Sequence, residues 1–143
     1  MDIAEVRKTL YHGDKEELEM MARAILTHGR SHQYMKDLSR HANEFNDLIL
    51  RLNGEDKDYL ALVYLLAEHL NEIKGGGCAC SIVQKPMFNS PERLGGILEI
   101  LDETLIIKDY SVCIHSRCLA CGKEYESRMV ESGFGQKVVW SVL

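Results

Sequence analysis

Two short cysteine pairs, Cys78-Ala-Cys80 and Cys118-Leu-Ala-Cys121, stand far apart in the chain and hold four of its five cysteines. They constrain the fold more than any other feature, because a tetrahedral metal site is readily assembled from two turns that each deliver two thiolates. The pattern predicts one four-cysteine zinc site, with Cys78, Cys80, Cys118 and Cys121 as ligands. The second pair continues as Cys121-Gly122-Lys123-x-Tyr125, and glycine there supplies a turn whose amides point at a thiolate and favour the charged sulfur. The first pair has a one-residue spacer instead of the usual two, which leaves the geometry of its turn open. Cys113 and His115 are alternatives for one ligand. Strand alternation puts both on one face, where a buried thiol beside a surface histidine is the plainer reading.

A site closed by four protein thiolates has no open position for water or substrate, so the metal is expected to be structural rather than catalytic. The zinc deaminase signature is missing: Arg117, not proline, precedes Cys118, and no His-x-Glu occurs. There is also no His-Glu-x-x-His, no Gly-x-Ser-x-Gly and no phosphate-cradling glycine loop, since Gly75-Gly76-Gly77 follows a helix and opens none. A redox role for Cys118 and Cys121 would need a strand followed by a helix around them, and both flanks read as strands. The chain is expected not to be an enzyme.

Residues 1–76 read as a helical bundle of about four helices and residues 77–143 as a zinc-stapled antiparallel β unit, packed together as one compact α+β domain. In the first part, Ile3, Val6 and Leu10 mark a helix that stops near Gly13, and Asp14 with Glu17 forms a capping box for the next. That second helix carries Leu18, Met21, Ala22, Ile25 and Leu26 on one face and stops near Gly29. From a cap at Ser31 the periodicity predicts one long third helix to about Leu52, ended by Asn53-Gly54. The fourth, about Asp56 to Lys74, is apolar on most sides and is expected at the centre of the bundle.

Beyond the triple glycine the pattern changes to β-type runs over 97–101, 105–115, 124–130 and 137–142. Tyr110, Val112 and Ile114 alternate with Ser111, Cys113 and His115 as in a half-buried strand, and Gly133-Phe134-Gly135 reads as a hairpin turn. Residues 84–96, with both prolines, read as a loop, and Asp102-Glu103 as a polar turn between strands.

The formal charge of −5 argues against general attraction to phosphate backbones, which draws on clustered Lys and Arg. The bases from residue 108 onward, Lys108, Arg117, Lys123, Arg128 and Lys137, are interrupted by Asp109, Glu124 and Glu126. The start lacks a signal-like apolar stretch, and no run approaches the roughly 20 apolar residues that span a bilayer, so a cytoplasmic protein with reduced thiols is expected.

Two further patterns remain. His28 and His32 have helical i,i+4 spacing, but Gly29 between them favours surface or capping roles over a second metal site. Arg23 and His28 match the Arg-x4-His spacing of helical ribonucleases of the HEPN type, with Ala24 where a polar residue is common. Arg23 is more simply a solvated partner of a neighbouring acid.

Cys78-x-Cys80, Cys118-Leu-Ala-Cys121-Gly-Lys-x-Tyr125, Glu131-Ser-Gly133 and Trp140 together resemble small bacterial zinc-ribbon proteins, including toxin-neutralising immunity proteins. The resemblance covers the second half of the chain. It implies a non-enzymatic protein-binding module with a structural Zn²⁺, an inhibitor that neutralises a partner with a basic surface through its own acidic one. The alternatives are a zinc-ribbon regulator that contacts nucleic acid or the transcription machinery, and a ribonuclease using Arg23 and His28.

Overall fold

The computed structural model of the protein describes residues 1–28, 30–86, 89–106, 111–132 and 135–143. Among them are five α-helices, two short 3-10 helices and four strands in one antiparallel sheet, an α+β arrangement.

Helix α1 (Ile3–His12) starts where the Asp2 carboxylate accepts the Glu5 amide, and α2 (Lys15–Thr27) starts at the expected capping box of Asp14 and Glu17. Helix α3 (His32–Ser39) begins with the Ser31 hydroxyl accepting the Tyr34 amide at 3.1 Å. The expected long third helix is interrupted, and α4 (Ala42–Leu52) is a separate element. Ser39 donates its hydroxyl to the Lys36 carbonyl at 2.6 Å, while the Arg40 and His41 amides bond three residues back instead of four. The winding tightens there and the axis restarts.

The last helix, α5 (Ala61–Lys74), starts five residues later than the apolar pattern predicts. Asn53, Gly54 and Asp56 all have positive φ, so the chain after α4 stays in left-handed turns that no helix can include. Helix α5 packs against α2, α3 and α4, with Val63, Leu66, Ala67, His69 and Leu70 buried, and so occupies the expected central position.

After α5, Gly76 takes φ +104 and redirects the chain into a 3-10 helix, Ala79–Gln84, rather than into a β-type turn. A second, Pro91–Leu94, lies within the stretch expected to be irregular. The sheet follows as a simple meander, β1 (Leu98–Ile106), β2 (Ser111–Cys118), β3 (Glu124–Ser132) and β4 (Gly135–Val142), each strand paired with its sequence neighbour. Strand β1 runs straight through Asp102-Glu103, which are not in a turn; the register shifts between Ile100 and Asp102, and Asp102 lies opposite His115. Charged residues fit there because the strand is exposed on both faces from Ile100 to Leu105, so both of these alternating side chains reach solvent. The expected stop at Gly29, Tyr110 and the hairpin residues Gly133 and Phe134 lie outside the described residues.

The apolar core runs from Val6 through Phe45 and Leu66 into Ile82, Leu94, Leu98 and Tyr125 without a break. Polar bonds cross between the helices and the sheet as well. Asn89 donates its side-chain amide to the Leu26 carbonyl at 3.2 Å, and its own carbonyl accepts the Trp140 indole N–H at 3.2 Å. The sheet is covered at one end only: Ser116, Tyr125 and Ser127 are buried, while farther out on the same face Leu105, Val112 and Met129 are 63%, 41% and 42% exposed.

Candidate metal centre

The Cys118–Cys121 turn joins β2 to β3 and is held by its own backbone. The Cys118 amide bonds the Lys123 carbonyl at 2.8 Å, and the Gly122 amide bonds the Cys118 carbonyl at 3.2 Å. Gly122 sits at φ +76, a left-handed conformation that costs glycine nothing and strains other residues. The tight turn aims the amides of Ala120 and Cys121 at Cys118 Sγ, both at 3.4 Å. The opposite pair has another origin. Cys78 caps the 3-10 helix and Cys80 lies in its first turn, so helical winding brings both side chains forward despite the short spacer.

These two turns bring all four sulfurs within 4.8 Å of one another. Cys78 Sγ lies 3.5 Å from Cys118 Sγ, and Cys80 Sγ 3.6 Å from Cys121 Sγ. Zn–S bonds of about 2.3 Å in a tetrahedron require sulfur–sulfur edges of about 3.8 Å, so the donor set fits a metal ion such as zinc. The same separations are far beyond a disulfide bond of about 2.05 Å, and all five cysteines are free.

Two side chains outside the cysteine pairs complete the surroundings. The Tyr125 hydroxyl, buried on β3, lies 3.0 Å from Cys80 Sγ. His32 Nε2, at the start of α3, lies 3.4 Å from Cys118 Sγ and 3.1 Å from the Ile97 carbonyl oxygen. A carbonyl only accepts, so Nε2 carries the proton and is shared between oxygen and sulfur. Hydrogen bonds of this kind stabilise thiolate charge and orient the ligands. Trp140 stacks edge-on against the Tyr125 ring, with centroids 6.2 Å apart, and fixes it in place.

Burial pushes the Cys78 and Cys80 thiols up. At Cys121 burial acts in the same sense, but the Lys123 amide and the neighbouring thiols outweigh it and hold the group below the usual thiol range. Burial, followed by the contact with Cys80, raises Tyr125, which therefore stays a donor. A metal ion entering the cluster must displace protons from the buried thiols, so its affinity falls as pH falls.

The structure brings the four expected cysteines together and leaves Cys113 and His115 elsewhere. Cys113 pairs across the sheet with Arg128, and His115 lies between Asp102 Oδ2 at 3.3 Å and Glu124 Oε1 at 3.2 Å. Among the described residues the four cysteines are the one group of three or more side chains arranged to hold a metal, and His32 faces Cys118 and the Ile97 carbonyl. His28 occupies the position that follows α2, with Nδ1 3.0 Å from the Thr27 hydroxyl, and Arg23 is paired with Glu19 at 2.5 Å. The contact of His32 with Cys118 was not legible in the sequence, where His32 read as a surface or capping residue: the two residues are 86 positions apart, and no local motif links them. Tyr125 stood in the cysteine motif, but nothing in the spacing assigned it to Cys80.

No protein-family model, curated protein or solved structure matches this chain. Among the described residues no helix is long and apolar enough to cross a membrane.

Proposed function

We propose that the four cysteines hold one structural Zn²⁺ and that the chain is a non-enzymatic protein-binding module of inhibitor type, presenting an acidic surface to a basic partner. The observation that carries the metal part is the closed tetrad itself. Four protein sulfurs at tetrahedral spacing fill the coordination shell of zinc and leave no position for a substrate. The ion would join the 3-10 helix after the bundle to the β2–β3 turn, next to His32 and Tyr125. Its role there would be to hold two parts of the fold together.

Support for binding comes from the surface. The net charge of −5 favours a partner of opposite sign, and the sheet leaves Leu105, Val112 and Met129 uncovered on one side. A nucleic-acid regulator has less support, since Arg117, a base near the cysteine turn, is already engaged by Glu99 at 2.9 Å. The ribonuclease reading also has less, because Arg23 is bound to Glu19.

Elemental analysis of the purified chain is expected to give about one zinc per molecule. Affinity capture with the chain as bait is expected to retain a basic protein that elutes as salt is raised. Tight retention of DNA or RNA with a steep salt dependence would replace the inhibitor reading by the regulator one.

A further inference from the structure

The tetrad contains an asymmetry that four equivalent metal ligands would not need. Cys121 is exposed, whereas Cys80, its neighbour across the site at 3.6 Å, is 2% exposed. The other cross-site pair, Cys78 and Cys118, is as close at 3.5 Å but less accessible, and Cys118 is further covered by two backbone amides and His32. An accessible thiolate beside a protected one is the arrangement in which a peroxide reacts at the first sulfur and the second resolves the product.

We propose that Cys121 and Cys80 form an oxidative modification site, at which a peroxide converts the metal-binding tetrad into a Cys80–Cys121 disulfide and expels the ion. The metal-release half of this proposal rests on the zinc reading above; the pairing of the two sulfurs does not. In the first step the Cys121 sulfur attacks a peroxide oxygen, the O–O bond breaks, and a sulfenic acid and hydroxide form. In the second, the Cys80 sulfur attacks Cys121, the S–O bond breaks, and a second hydroxide leaves as the S–S bond forms. The two thiolates lose two electrons to the peroxide, and two protons from solvent convert the hydroxides to water. Zn²⁺ loses two of its four ligands and departs.

The product differs from ordinary oxidative damage in what it connects. Cys80 lies in the 3-10 helix behind the bundle and Cys121 in the β2–β3 turn, 41 positions apart. A bond between them keeps those two elements tethered after the metal has gone. Disulfides within either pair, Cys78–Cys80 or Cys118–Cys121, would leave the elements free of each other. Forming that bond draws the two sulfurs together by about 1.5 Å, from 3.6 Å to about 2.05 Å.

The test is a titration of the zinc-loaded chain with hydrogen peroxide, in which zinc release is followed with a chromogenic chelator and linkages are mapped by non-reducing peptide mass spectrometry. Near-complete release at about one equivalent of peroxide is expected. Cys80–Cys121 should be the first linkage found, and Cys113→Ser should change neither result. A first linkage within either pair or between Cys78 and Cys118, or sulfinic acid at Cys121 without a disulfide, overturns the proposal. If the purified chain carries no metal, the zinc reading fails by itself. Mapping the oxidised metal-free chain then still decides the pairing, with Cys80–Cys121 supporting it and any other first linkage refuting it.

Discussion

The helices and the sheet of this protein are stabilised in different ways. Across the bundle, Val6, Leu38, Phe45, Leu66 and Leu70 are fully buried, and α1, α2 and α3 are each capped by a side chain of their own segment. The sheet buries Leu98, Ser116, Tyr125 and Ser127 at one end and leaves Leu105, Val112, Met129, Val139 and Val142 open to water. One region gains stability by removing apolar surface from solvent. The other has too little covered surface for that and depends on fixing a few points, namely the cysteine turn, the Asn89 bridge and the Trp140–Tyr125 contact.

Metal removal probes this difference most strongly. Structural zinc sites supply on the order of 10 kcal/mol or more of apparent folding energy. Chelation, or Cys118→Ala, is therefore expected to abolish the ordered amide signals of the sheet in NMR spectra, while most of the helical signal in far-UV circular dichroism persists. Simultaneous loss of both signals would show that the two regions stand or fall together.

The complementary change is Phe45→Ala, which empties a fully buried site on α4 and is expected to cost about 3 to 5 kcal/mol in denaturant unfolding. The metal content should stay unchanged. Loss of zinc together with this core residue would mean that the site depends on the bundle's packing, which the difference between the regions does not predict.

Acidity sharpens the contrast at the boundary. Burial pushes the pKa of His69, on α5, down from 6.5 to about 4. The folded chain thus holds this ring neutral, and the unfolded chain protonates it first as pH falls. Its contribution is complete above pH 6.5, is lost progressively toward pH 4, and amounts to about 3 kcal/mol. Unfolding free energies measured at pH 7, 5.5 and 4.5 should fall more steeply for the parent chain than for His69→Asn. The difference between the two isolates this ring from acid-driven metal release. Equal slopes would place the ring in contact with solvent.

The smallest expected effect is that of Tyr125→Phe, which removes the hydroxyl beside Cys80 and keeps the ring under Trp140. Zinc affinity should drop about 10- to 100-fold in a competition titration, with little change in the helical signal. Unchanged affinity would assign Tyr125 to packing alone.

Much of the bundle was legible because its signals are local. Asp14 and Glu17, Ser31, and Asn53-Gly54 act within a few residues of where they stand, and the structure uses each as a terminus. The break between α3 and α4 was not legible from periodicity, since Leu38, Ala42 and Phe45 keep helical spacing straight across it. What breaks the helix is the hydroxyl of Ser39, bonded back to Lys36. In the sheet, Asp102 and Glu103 read as a turn because two adjacent charges in a strand look improbable until both of its faces are known to be solvated there. At the metal centre the four cysteines announced themselves by spacing. The conformation of Cys78-Ala-Cys80 did not, because a 3-10 helix delivers two sulfurs from a spacer that a β-type turn would not accommodate.

The 40 positions between Cys78 and Cys118 also bear on how the chain is made. At synthesis rates of about 5 to 20 residues per second, the first thiol pair exists for roughly 2 to 8 s before the second is polymerised. Throughout that interval the first pair has no opposing pair. An ion captured early would be held by only half of its eventual shell and would remain exchangeable with other cellular ligands. On the zinc reading, the full donor set exists only once the β2–β3 turn has been made and closes over the first pair.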